Sequence, residues 1–136
     1  MFNSGGVNVS VTFHAKLTAS YSIATHCTGG GTASGNTNAS VTVWMHGGTP
    51  SGNHGVASTA LFAATNSVCN SRVAHNYGTF NQNLTSGTYR YGVPDYFDFH
   101  FQLNVYSGTA GSPIGSGATA TGTVSFTLTS VVMKTS

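Results

Sequence analysis

Residues 96–106, YFDFHFQLNVY, alternate with a period of two. Phe97, Phe99, Phe101, Leu103 and Val105 fall on one side, and Tyr96, Asp98, His100, Gln102, Asn104 and Tyr106 on the other. Successive side chains of a strand point to opposite faces, whereas neighbours on one helix face lie three or four residues apart. The segment is predicted to be a β-strand with one face in a core and the other outside. A chain built around such a strand needs further strands to cover the apolar face.

Those strands can be read from the same alternation, with breaks at Gly, Pro and Asn clusters. Val7, Val9, Val11 and Phe13 open a strand that continues through Leu17, Ala19, Tyr21 and Ile23. Val41, Val43 and Met45 make a second face, opposite Thr42, Trp44 and His46. Further strands are predicted over 56–64, 68–74, 88–91 and 119–133, with a stop at Gly92-Val93-Pro94. Residues 28–38, 47–55 and 107–117 are predicted loops, and 81–87 a turn. No segment combines helical periodicity with caps. The whole chain, residues 1–136, reads as one all-β domain: an antiparallel β-sandwich or jelly roll of about seven or eight strands. The segments at 7–13 and 123–132 lack Lys, Pro and any sign of a bulge, the devices that keep sheet edges from pairing. Their pairing within one sheet, or with a neighbouring subunit, is the expectation.

Charge narrows the function. Charged residues make up 4% of the chain, against about 25% in ordinary globular proteins. The cations are Lys16, Arg72, Arg90 and Lys134, and the acids Asp95 and Asp98. Four cations scattered along the sequence predict no phosphate-tracking patch, so nucleic acid is not an expected partner. There is no basic amphipathic stretch and no apolar run near the roughly 18 residues of a membrane span, so membrane insertion is not expected either. Six histidines outnumber the acids, and protonating all of them would add six charges to a formal +2. Two readings follow: six scattered loop and strand histidines with no switch, which is the leading one, or a solubility or assembly that responds to pH.

Cys27 and Cys69 sit among Thr, Asn, Ser and Gly and not in apolar runs, which favours a bridge. It would close a loop of about 43 residues and contribute on the order of 4 kcal/mol. Disulfides persist outside the reducing cytosol, so the expected location is extracellular, on a cell surface or on a virion. The opening MFNSGGV has neither the basic nor the apolar region of a signal peptide. Either removal of a leader or release by lysis, as for a virus particle, is the expectation.

Catalytic signatures are sparse. Asp98 and His100 share a strand face and fit a His–Asp dyad or a metal pair, yet each needs further partners. Glu is absent, and Asp95 and Asp98, three apart, point to opposite faces of a strand, which defeats a two-carboxylate glycosidase. The His and Cys spacings match no compact zinc pattern. The chain is therefore expected to be no enzyme and to need no metal or cofactor. Trp44, Tyr77, Tyr89, Tyr91, Tyr96 and Tyr106 suit a sugar-stacking platform, a protein interface or ordinary packing.

Residues 78–105, GTFNQNLTSGTYRYGVPDYFDFHFQLNV, resemble the central strands of C1q/TNF-like jelly rolls. Gly87, Tyr89, Pro94, Tyr96, Phe97, Phe99 and Phe101 match that family's pattern, and Val11 to Ala19 faintly resembles its first strand. The family has a longer segment after the position of Val105. The resemblance implies a trimeric, non-enzymatic binding or capsid-type module and carries over no functional residue. The leading expectation is a structural subunit that self-associates or joins a capsid or filament partner: a phage decoration, cement or fibre protein, or a pilus subunit. The alternative is a carbohydrate-binding module with a glycan on the face formed by Tyr96, Asp98, His100, Gln102, Asn104 and Tyr106.

Overall fold

A computed structural model describes residues 6–92 and 95–136. The predicted stop at 92–94 and the opening MFNSGGV therefore lie partly outside the described residues. Over the described residues the fold is an antiparallel β-sandwich of seven strands in two sheets: β1 (Val7–His26), β2 (Thr32–Gly47), β3 (Asn53–Asn66), β4 (Arg72–Thr85), β5 (Tyr89–Tyr91), β6 (Phe97–Ser112) and β7 (Gly117–Thr135). In one sheet β1 is central. Its 12–24 stretch pairs with β4 and its 7–9 stretch with β5, while β7 runs along its other side from Val9 to His26. In the other sheet β2 is central, between β3 and β6. Each sheet is thus three strands wide.

The odd-numbered residues of β1 point inward. Val9, Val11, Phe13, Ala15, Leu17, Ala19 and Ile23 are buried, facing Ala33, Ala39, Val41, Val43 and Met45 of β2. The core tapers. At the end where β1 starts, Tyr91 joins Val9, Val11, Phe13, Val43, Met45 and Leu84 in the main cluster, with Tyr89 and Phe97 packed against it. At the other end the inward residues of β2 and β6 are small: Ala33, Gly35, Thr37, Ser107, Thr109 and Gly111. A Cβ on Gly35 would lie 2.7 Å from Ile23 Cγ2, and one on Gly122 would lie 2.5 Å from Thr37 Oγ1. The sheets approach closely there because those side chains are missing.

The strand bounds correct several expectations. Residues 32–38 belong to β2 and 107–112 to β6, although both read as loops, and 81–85 lie inside β4, although they read as a turn. Gly, Ser and Asn are strand residues at these positions because the narrow gap excludes larger side chains or because they face solvent. Conversely, Val68 to Ser71 precede β4 and do not form a strand. The first strand is also no edge, since it is paired on both sides. Of the two terminal strands, β7 is the edge among the described residues, and it does carry a bulge. The register shifts at Thr129, whose hydroxyl donates to the His14 carbonyl at 2.7 Å.

The narrow end is fastened chemically. Cys27, after β1, is bonded to Cys69, between β3 and β4, at a sequence separation of 42. Beside the bridge, buried Asn66 donates to the Ile23 carbonyl at 3.2 Å and to Ser71 Oγ at 3.0 Å. Thr25, also buried, donates its hydroxyl to the Val68 carbonyl and accepts from the Ser71 amide at 3.1 Å. At this end both buried polar side chains, Thr25 and Asn66, are hydrogen-bonded, as burial requires.

Candidate functional site

The outer face of the β2 sheet holds the residues singled out by the alternation. Asp98 lies opposite His46, His100 opposite Trp44, Gln102 opposite Thr42, Asn104 opposite Ser40, and Tyr106 opposite Asn38. All five β6 residues are exposed. Tyr96 precedes the strand and is 86% exposed. At about 3.3 Å per residue the row runs roughly 30 Å from Tyr96 to Tyr106. The two tyrosines therefore sit at opposite ends of a line and do not converge on one pocket. The register adds two residues that sequence reasoning did not join to the row. Trp44 stacks on His100, with ring centroids 5.2 Å apart and planes 9° apart, and His46 meets the edge of His100 at 6.3 Å. His46 in turn bonds Asn53 at 3.0 Å. The Trp44 and His100 rings cover one face of each other, which leaves less flat aromatic surface for a sugar. Only the cross-strand register could have revealed this pairing. Among the described residues, no three of His, Cys, Asp and Glu come together as a metal centre needs.

A second surface lies along the β6–β7 side of the sandwich. Among the described residues β6 pairs only with β2, and β7 only with β1. Their inward side chains face the gap between the sheets at its open edge, where nothing fully covers them. Phe126 stays 46% exposed, Leu128 43%, Met133 54%, and Phe99 and Val105 45% each. Phe101 and Phe126 meet across the gap at 4.8 Å. The opposite side, between β3 and β4, is filled by rings. Tyr21 packs on Phe62 at 5.4 Å, and Phe62 stacks on Tyr77 at 6.1 Å.

At the wide end the β6–β7 seam deepens into a recess of about 350 Å³, lined by Val7, Val9, Tyr91, Phe97 and Met133. The Tyr91 hydroxyl is buried and has no partner among the described residues. Burial, first of all, holds its pKa above the usual phenol range, with Tyr89 and Asp95 adding to the effect. At the rim, Asp95 accepts from the Thr49 hydroxyl at 2.5 Å and from the Gly92 amide at 2.8 Å. The Thr49 bond, and then the Gly92 bond, lower its pKa. The chain was compared with protein-family models, curated proteins and solved structures, and none matches it.

Proposed function

We propose that the chain is a non-enzymatic structural subunit that assembles with copies of itself through the β6–β7 side, on a virion or extracellular surface. The observation that carries this reading is the row of half-exposed apolar side chains on a strand with a free edge. A strand edge presents unpaired N–H and C=O groups, and soluble monomers blunt such edges with charge, proline or bulges. From Gly117 to Leu128 the β7 strand has neither charge nor proline, and its bulge comes only at Thr129. Antiparallel pairing of two such segments joins their sheets and brings Val124, Phe126 and Leu128 of each copy against those of the other. The bulge limits the paired length to the residues before it. The Cys27–Cys69 bridge is compatible with an oxidising location.

Lysine at position 128 puts a charge beside Phe126, at the end of this seam next to the bulge. Because Leu128 is 43% exposed in the single chain, Leu128→Lys is expected to leave the fold intact. It should weaken self-association at least tenfold, about 1.4 kcal/mol. Sedimentation velocity over a concentration series reads the effect. An association constant unchanged by the substitution refutes the proposed surface.

A further inference from the structure

The four cations, dispersed in sequence, are gathered by the strand register. Lys16 points outward from β1. Arg72 pairs with Ala24 and reaches Ser22 Oγ at 3.0 Å. Arg90 lies beside Asn8, and Lys134 beside Ser10. All four are exposed on the outer face of the β1 sheet, and His14 and His26 share it. Neither acid is there: Asp98 is on the outer face of the other sheet, and Asp95 is at the rim beside Thr49. The sandwich therefore carries all its side-chain cations on one broad face with no carboxylate side chain among them.

The surface between those cations is mostly polar, with Val132 as its one large apolar side chain among the described residues. Thr12 bonds Thr85 at 2.9 Å, Thr18 bonds Thr79 at 3.0 Å, and His14 bonds Asn83 at 2.7 Å. On β7, Thr119, Thr121, Thr123, Ser125 and Thr127 pair with outward residues of β1 and so continue the same surface. Along β1 the charges fall near residues 8–10, at 16 and near 22–24. Steps of about seven residues put them roughly 23 Å apart. Duplex nucleic acid presents a charge about every 1.7 Å along its axis and is held by dense Lys and Arg. Widely spaced cations in a field of hydroxyls and amides complement the opposite kind of polymer, rich in hydroxyls with intermittent negative charge.

We propose that the outer face of the β1 sheet binds an anionic polysaccharide laid along β1. Its carboxylates would meet Lys16, Arg72, Arg90 and Lys134, and its hydroxyls would meet the Thr, Ser and Asn side chains between them. This goes beyond self-assembly, which uses a different side of the molecule, and gives the subunit an anionic surface to sit on.

Hyaluronan, which carries one carboxylate per disaccharide, is the probe, with neutral dextran, duplex DNA and anionic phospholipid vesicles as comparisons. Binding is measured by calorimetry on the full chain. Hyaluronan is expected to bind, dextran not, and the affinity should fall as salt rises from about 0.05 to 0.3 M. Lys16→Ala with Arg72→Ala is expected to weaken binding at least tenfold. Arg90→Ala with Lys134→Ala at the other end should do the same, and Asp98→Asn should change nothing. All four cations are exposed, so melting curves of both double variants should overlay that of the parent. Absence of hyaluronan binding, parental affinity in both double variants, or binding of DNA or vesicles at least as tight as that of hyaluronan overturns the proposal.

Discussion

Serine in place of both Cys27 and Cys69 is expected to lower the unfolding free energy by about 4 kcal/mol. The bridge joins positions 42 apart in sequence, so its main effect is on the unfolded chain, which explores far more conformations once the loop is open. It ties the β1–β2 connection to the β3–β4 connection, two segments that cross between sheets. The native contacts around it do not depend on the sulfurs. Asn66 and Ser71 still bond Ile23 and Thr25, so the double variant should keep the same fold. With a total stability of about 5–15 kcal/mol typical of a domain, such a loss brings the chain close to unfolding at warm temperatures. Guanidinium titration of parent and variant measures the difference. A loss below about 1 kcal/mol would mean that the hydrogen-bond network alone closes the narrow end.

Phe13→Ala is expected to cost about 3–5 kcal/mol. Phe13 is 3% exposed, is paired with Leu84 on one side and Val131 on the other, and touches the rings of Phe99 and Phe101 at 5.9 and 5.6 Å. Its removal leaves a cavity between the sheets that cannot collapse without moving both central strands. The same truncation takes away the backing of Phe99 and Phe101 on the open side, so association should weaken as well. Val105→Ala, at a half-exposed site, should cost less than about 1.5 kcal/mol. If the two substitutions cost the same by chemical denaturation, the core is not centred where β1 and β2 face each other.

Strands whose inward residues are large were legible. The alternations at 7–23, 41–46, 97–106 and 119–133 all lie in observed strands, because an inward Val, Phe or Leu every second residue marks the inner face, whether buried as in β1 and β2 or half exposed as in β6 and β7. The disulfide was legible from the polar surroundings of its cysteines. Residues 32–38 and 107–112 were not. There β2 and β6 offer only Ala, Gly, Thr and Ser to the inside, with Gly35 making room for Ile23, and a strand of small residues looks like a loop. The candidate face along β6 was legible as a row, but its Trp44–His100 stack was not, because period two says nothing about which strands lie side by side. The gathering of Lys16, Arg72, Arg90 and Lys134 was hidden for the same reason. Each is the outward residue of a different strand or stretch, and only the pairing of β4, β5 and β7 around β1 puts them on one surface.

The edge of β7 is the proposed self-association surface. Light scattering on the purified chain, with and without Leu128→Lys, tests this most directly. The predicted result is a mass of twice the chain or a higher multiple for the parent and a single-chain mass for the variant. A parent that stays at one chain mass at every concentration, or an assembly that Leu128→Lys leaves unchanged, would contradict it.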